Sequence, residues 1–229
     1  MALSKKDTLF ASIIGAEVGL VFQPLIYNLW PDIQKFLLNT FSTELNRSFL
    51  LHLIVVLFFT ALAPIALYVL SLISKFIKIA YQFGKFAAVG ASNTFLDLGL
   101  LNLAIMTMDL KEGTTKFFIV ATSTAVLSTV NSYLWNKFWT FEAGKREEKR
   151  LWEIIKFYAV TGTAALVNGA VTSFAAVQLA EILNGSSGSM AATIGKIIGI
   201  LSAFLINFLG YKFIVFKKEE AQPQEISKV

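Results

Sequence analysis

Six apolar stretches, each long enough for a membrane-spanning helix, constrain this chain more than any other feature. A helix needs about 20 mostly apolar residues to cross a hydrocarbon layer of ~30 Å. Strands are disfavoured, because a segment in lipid must satisfy its own backbone and the short alternating runs of barrel strands are missing from the sequence. The sequence therefore predicts an all-α fold, a polytopic membrane helical bundle. The predicted spans are Leu9 to Trp30, Phe49 to Ser74, Phe86 to Met108, Phe117 to Trp139, Phe157 to Leu179 and Ala191 to Val215.

The first of these stretches is the least regular. It contains Glu17, Gln23, Pro24 and Asn28, so we expect it to be tilted, kinked or partly re-entrant. Two lysines precede it, as in a signal peptide, but it is too long for the apolar core of one and no small-residue cleavage site follows. We therefore interpret it as a retained span.

The composition excludes several classes of protein. Hydrophobic residues make up 55% and charged residues 15% of the chain, which is too apolar for an ordinary soluble domain. There is no Cys and a single His, so disulfide frameworks and the usual thiolate or multi-histidine metal sites are excluded. The sequence predicts neither a metal site nor a cofactor.

The positive charges indicate the orientation of the spans. With the N-terminus inside, most of the 20 Lys and Arg residues fall in cytoplasmic segments, whereas the outer loops hold Lys35, Arg47, Lys111 and Lys116. This bias follows the positive-inside rule and predicts that both termini are cytoplasmic. It also accounts for the net charge of +5 without a nucleic-acid partner.

The chain contains an internal repeat. A Lys-Phe pair opens the third span at Lys85 and the fifth span at Lys156, and the sequence ending the fourth span aligns with the end of the sixth. Two spans return a chain to its starting side, so the copies should be parallel. We predict a four-helix core from two parallel two-helix repeats, plus two extra N-terminal transmembrane helices. The predicted domains are residues 1–82 (N-terminal helical pair and interfacial segment), 83–216 (repeats 83–141 and 154–216) and 217–229 (cytoplasmic tail).

Three motifs resemble a known family, the GtrA-like membrane proteins, over about residues 83 to 216. The motifs are Lys85-Phe-x-x-Val-Gly90-x-x-Asn93-Thr94-x-x-Asp97, Ser132-Tyr-x-x-Asn136-Lys137-x-Trp139-Thr140-Phe141 and the weaker echo Asn207-Phe-x-x-Tyr211-Lys212-x-x-Val215-Phe216. The Asn-Lys-x-Trp-Thr-Phe ending is the most specific of them.

The resemblance implies a role in cell-envelope polysaccharide synthesis. It implies a plasma-membrane protein of a bacterium or archaeon, with membrane lipids and a polyprenyl-phosphate-linked sugar as partners. Such a protein translocates (flips) the lipid-linked sugar, or assists a membrane glycosyltransferase that uses it. The extra N-terminal residues would then suit partner docking, and the oligomeric state stays open, a homo-oligomer included.

The polar residues within the spans form a predicted polar seam. Asp97 lies near the middle of its span, where a charge costs at least roughly 2.5 kcal/mol, so it should face the bundle interior. Its repeat counterpart is Asn168, and Lys196 either snorkels outward or pairs with Asp97 or Glu17. Amides suit sugar hydroxyls, although interhelical hydrogen bonding explains them equally. The seam residues are Asn93, Asp97, Asn131, Asn136, Asn168, Lys196 and Asn207.

The repeat also predicts a ring of four lysines at the cytoplasmic end of the core. Lys85 and Lys156 begin one helix of each repeat, and Lys137 and Lys212 end the other. Such a ring would bind a lipid phosphate, although ordinary positive-inside snorkelling also explains each lysine. An interfacial aromatic belt is expected beside it, formed by Trp135, Trp139, Tyr158 and Tyr211.

Three functions fit these patterns. The first is a translocase of polyprenyl-phosphate sugar, the second a non-catalytic scaffold for a glycosyltransferase, and the third a small proton-coupled exporter with Asp97 as the proton acceptor. An enzyme is the least supported class, because the sequence has no catalytic residues in a recognisable set and no Gly-rich phosphate loop.

Overall fold

The structure, a computed structural model, describes residues 3–42, 48–108, 110, 114–143, 150–182 and 188–217. These residues form α-helices and two short π-helices, and none of them lies in a strand. The α-helices are α1 (Lys5–Val21), α2 (Gln23–Phe41), α3 (Phe49–Ile73), α4 (Ala80–Met108), α5 (Thr115–Trp135), α6 (Arg150–Ile182) and α7 (Gly188–Gly210). The π-helices are π1 (Asn136–Thr140), which continues α5, and π2 (Tyr211–Val215), which continues α7.

The helices confirm the polytopic helical bundle. Among the described residues, 5 helices are long and apolar enough to cross a membrane, and α1 with α2 would make a sixth if that bent pair is one span. The predicted span from Phe49 to Ser74 matches α3 closely. α4 and α6 both begin several residues before their apolar stretches, because helical propensity continues where hydropathy falls.

The first predicted span is broken, as its polar residues and proline indicated. α1 ends at Val21 and α2 begins at Gln23, with a bend of 50° between them. Pro24 stands in the first turn of α2, where its missing N–H costs no hydrogen bond. α2 then continues to Phe41, well past the predicted end at Trp30. The N-terminal part therefore holds three helices where the sequence indicated two.

Side-chain caps fix the start of three helices. Ser4, Ser48 and Thr114 each accept a hydrogen bond from the backbone N–H three residues further on, at the start of α1, α3 and α5. Such caps satisfy one of the N–H groups that a helix leaves unpaired in its first turn. α1 is consequently fixed at Ser4, three residues before Asp7.

The chain packs as two compact units, unit 1 from residue 1 to 142 and unit 2 from residue 143 to 229. In unit 1, α1 packs against α3 and α4, and α4 packs against α5 and π1. Gly15 brings the backbones of α1 and α3 together, since a Cβ there would collide with the Phe59 carbonyl. The core of unit 1 consists of Ala11, Ile14, Leu67, Tyr81, Val89 and Trp139.

Unit 2 is a pair of helices with its own core. α6 packs along α7, and π2 packs against α6. Gly199 is the point of close approach, because a Cβ there would meet Thr172 and the Asn168 carbonyl. Phe157, Phe208 and Tyr211 are buried between the elements of this unit. The predicted four-helix core would join helices of both units, and it stays a prediction, as do the proposed domain limits.

Candidate functional site

The strongest polar cluster in unit 1 surrounds Asp7 on α1. Lys85 Nζ lies 2.6 Å from Asp7 Oδ1, and the Trp139 indole N–H donates to the same oxygen at 2.9 Å. Asp7 Oδ2 accepts from the Tyr81 hydroxyl at 2.9 Å and from the Ser4 hydroxyl at 2.6 Å. We call these five residues the Asp7 cluster. It joins the N-terminal helix to α4 and π1.

The Asp7 cluster is almost sealed. Asp7 is 8% exposed, Lys85 5% and Trp139 0%. Lys85 Nζ also lies 5.0 Å from the centroid of the Tyr81 ring and 5.8 Å from that of Trp139, within the range of cation–π attraction. Glu142 adds a second carboxylate 3.7 Å from Lys85 Nζ. The first lysine of the predicted ring is therefore neutralised within the chain.

Lys137, the other lysine of the predicted ring in unit 1, lies on π1 and contacts a different residue. Its Nζ donates to the Tyr133 hydroxyl at 3.1 Å and lies 5.4 Å from the centroid of that ring. The residue is buried, with 9% of its surface exposed. Lys85 and Lys137 both lie at the end of unit 1 that carries π1, and we call this the basic end of unit 1. The ring of four lysines stays a prediction.

The two π-helices place the motif residues. The Phe141 N–H bonds to the Asn136 carbonyl, and the Phe216 N–H bonds to the Tyr211 carbonyl, both in the five-residue spacing of a π turn. A π turn rotates the following side chains relative to an α-helix, and such turns are frequent at functional sites. π1 directs Trp139 at Asp7 and buries Asn136 and Thr140. The sequence analysis missed both π turns.

Several buried side-chain oxygens have no hydrogen-bond partner among the described residues. Asn136 donates from Nδ2 to the Ser132 carbonyl at 2.9 Å, but its Oδ1 is unpartnered. The other atoms of this kind are Asn93 Oδ1, Thr140 Oγ1 and Asn207 Oδ1. An unpaired buried oxygen is costly, so each is suited to meet a water or a ligand hydroxyl. Asn93, Asn136 and Asn207 belong to the predicted polar seam.

Two further seam residues of unit 1 behave differently. Asn131 donates to Glu17 Oε1 at 3.0 Å, and Ser92 and Trp135 flank the same carboxylate. Glu17 therefore pairs with an amide of its own unit. Asp97 is half-buried, and no hydrogen bond or ion pair joins it to another residue in the described part of the chain.

Unit 2 holds the remaining predicted residues. Tyr211 stacks on Phe157 with 4.6 Å between ring centroids, and its hydroxyl lies 2.7 Å from the Thr161 hydroxyl. Lys212 Nζ lies 5.9 Å and 5.5 Å from the ring centroids of Phe208 and Phe213. No carboxylate of the described residues is within ion-pair distance of Lys212.

Three further predicted site residues lie in unit 2: Asn168, Lys156 and Lys196. Asn168 Oδ1 accepts from the Thr172 hydroxyl at 3.1 Å, beside Gly199. Lys156 is half-buried near the start of α6. The side chain of Lys196 lies outside the described residues.

The four predicted belt aromatics have unequal exposure. Tyr158 is 47% exposed and Trp135 is half-buried, which suits an interfacial position. Trp139 and Tyr211, at 0% and 4%, are packed inside their units and serve as hydrogen-bonding core residues.

These features define a class: a multi-pass helical membrane protein with lysines near π-helical ends and unpartnered polar atoms buried between its helices. A model of the GtrA/DPMS transmembrane domain family matches residues 85–216, which is more than half of the chain. The chain belongs to this family. The matched region begins at Lys85, so α1, α2 and α3 lie outside it. No curated protein and no solved structure matches the chain.

Proposed function

We propose that this protein is a non-catalytic translocase that moves a polyprenyl-phosphate-linked sugar across the plasma membrane of a bacterium or archaeon. The sugar would serve cell-surface polysaccharide or glycan modification. Family membership supports the lipid-linked sugar as the partner. Both termini are taken as cytoplasmic, on the distribution of Lys and Arg.

One observation carries this proposal: polar oxygens are buried without partners in helices that belong to the membrane. Asn93, Asn136 and Asn207 each have a side-chain oxygen of this kind. In hydrocarbon such an atom has no water to bond. The free-energy cost of burying it is therefore offset only by a polar ligand or by a water-filled path. A sugar presents many hydroxyl groups that donate to amide oxygens, whereas its polyprenyl tail can stay in lipid.

The phosphate would bind at the lysines. Lys212 is best suited, because two aromatic rings flank its ammonium group and no carboxylate of the described residues lies within ion-pair distance of it. A phosphate accepts charge-assisted hydrogen bonds from an ammonium group, and these are stronger than bonds between neutral groups. Lys137 and Lys156 would add to the attraction by their charge, and Lys85 would take part as described below.

The test is movement of the lipid between leaflets. Purified protein in liposomes is expected to move a fluorescent polyprenyl-phosphate sugar to the other leaflet, and Lys212→Gln should slow this by roughly tenfold, the effect of about 1.4 kcal/mol. Lys116→Gln is the matched control, since this exposed lysine bonds only the Met108 carbonyl in the described part of the chain. Movement equal to that of protein-free liposomes, with a glycosyltransferase co-purifying, would contradict the translocase and favour a scaffold.

A further inference from the structure

The Asp7 cluster is an anion site whose parts come from two regions of the chain. Lys85 and Trp139 belong to the matched family domain, and Tyr81 lies one turn before it on α4. The carboxylate they bind belongs to α1, which lies outside that domain. An ammonium group, an indole N–H and a phenol O–H thus converge on one carboxylate at 2.6 to 2.9 Å. Without the Asp7 carboxylate, the buried ammonium group would keep only the more distant and exposed Glu142 carboxylate at 3.7 Å, which is unfavourable for a buried charge.

A phosphate group satisfies the same donors. It carries negative charge and several acceptor oxygens, and ammonium and N–H donors bind it as they bind a carboxylate. A phosphate could therefore replace Asp7 without leaving Lys85 uncompensated. The exchange is chemically conservative, because one oxyanion leaves as another arrives.

The first turn of α1 is placed so that it can leave while the rest of the helix stays. Lys5, Lys6 and Thr8 are exposed, and Asp7 is the side chain that this turn buries in the cluster. Further along, α1 is fixed independently by the close contact at Gly15 and by the hydrogen bond between Glu17 and Asn131. Release of Asp7 needs the loss of one helix turn with its Ser4 cap, and of the contact between Leu3 and the core of unit 1, at the end of a helix where fraying costs least.

We propose that Asp7 is a built-in competitor for the phosphate-binding site of the first repeat. The carboxylate occupies the donors of Lys85, Trp139 and Tyr81 until the phosphate of a lipid headgroup displaces it, so α1 regulates access to the basic end of unit 1. This inference rests on the proposed function, because it assigns the regulation of the same phosphate site.

The test is binding of farnesyl phosphate to the full-length protein in detergent. Asp7→Asn removes the competing charge, so affinity should rise on the order of tenfold, as expected when the binding-competent state ceases to be a minor fraction. Asp32→Asn, on an exposed residue of α2, is the control for the change of net charge and should leave affinity unchanged. Adding Lys85→Gln to Asp7→Asn should abolish the gain. Affinity of Asp7→Asn equal to or below that of the wild type would overturn the proposal.

A second measurement does not depend on the stability of that variant. Farnesyl phosphate titrated into the wild type should shift the indole N–H resonance of Trp139, assigned by its loss in Trp139→Phe, whereas farnesol should leave it in place. An equal response to inorganic phosphate would support the site with free phosphate as its source. A shift with farnesol, or none with either phosphate, would contradict the proposal.

The results separate this inference from the proposed function. If the wild type and Asp7→Asn bind farnesyl phosphate equally, the competitor is excluded and the translocase stands. If Asp7→Asn gains affinity but lipid movement in liposomes is absent, the translocase is excluded and the regulated phosphate site stands. If no variant binds any phosphate, both fail.

Discussion

Trp139 shows how a single motif residue acts in this structure. The indole N–H donates to the buried Asp7 carboxylate, and the ring is the most completely buried large side chain of unit 1. Phe would keep most of the packing but lose the donor. Hydrogen bonds to charged groups contribute roughly 1.5 to 3 kcal/mol. We therefore expect Trp139→Phe to lower the free energy of unfolding in detergent by about 2 kcal/mol. Trp152→Phe, at a residue 58% exposed, is the control, and an equal loss in both variants would contradict this role.

Asp97 is the residue that separates a translocase from a proton-coupled exporter. The carboxylate is half-buried and has no partner among the described residues, so Asp97→Asn removes a charge without breaking a bond. We expect stability to change by less than about 0.5 kcal/mol and lipid movement to fall by less than about tenfold. The measurement is the liposome assay combined with thermal unfolding. Complete loss of transport with the fold intact would instead favour an exporter that binds its proton at this residue.

At the scale of elements, the contact between α1 and α3 depends on Gly15. A Cβ at this position would collide with the Phe59 carbonyl, which belongs to backbone and cannot move aside cheaply. Gly15→Ala should therefore destabilise unit 1 by roughly 1 to 3 kcal/mol. At Gly162 in α6, no neighbouring atom lies within 4 Å of the place that a Cβ would take. Gly162→Ala should therefore leave the free energy of unfolding unchanged or raise it by up to ~1 kcal/mol. Thermal unfolding of both variants checks this, and a stable Gly15→Ala would show that the helices pack less closely.

The sequence predicts the long helices well and the local features of the site poorly. The length of the apolar stretches predicted α3 to α7, and Pro24 with its polar neighbours predicted the break after α1. Both features were predictable because they depend on residues close together in the sequence. The Asp7 cluster depends on residues far apart in sequence. Asp7 and Trp139 are separated by 132 positions, and beside Lys5 and Lys6 the acid is indistinguishable from an ordinary flanking charge. The π turns were missed because their residue composition resembles that of an α-helical end.

At the scale of the whole molecule, the last three elements of unit 1, α4, α5 and π1, follow the same order as α6, α7 and π2 of unit 2. α5 continues into π1 and α7 continues into π2, and the predicted repeat aligns the first residues of the two π-helices. The first residues of the two turns differ, Asn136 in one and Tyr211 in the other, and so do their partners. α1 adds a further difference, because it packs into unit 1 and supplies Asp7 there. The ends of the two units thus differ chemically, although the sequence predicts that they are copies of one repeat.

The orientation of the chain can be tested directly, because it contains no Cys. The positive-inside distribution predicts that Lys5 and Lys217 face the cytoplasm and Lys116 the outside. All three residues are exposed, so replacement by Cys should not disturb the fold. In intact cells, a membrane-impermeant maleimide should label Lys116→Cys only, and permeabilisation should make the other two reactive. Labelling of Lys5→Cys in intact cells would contradict the predicted topology. It would also contradict the proposal that the lysines bind the headgroup at the cytoplasmic face.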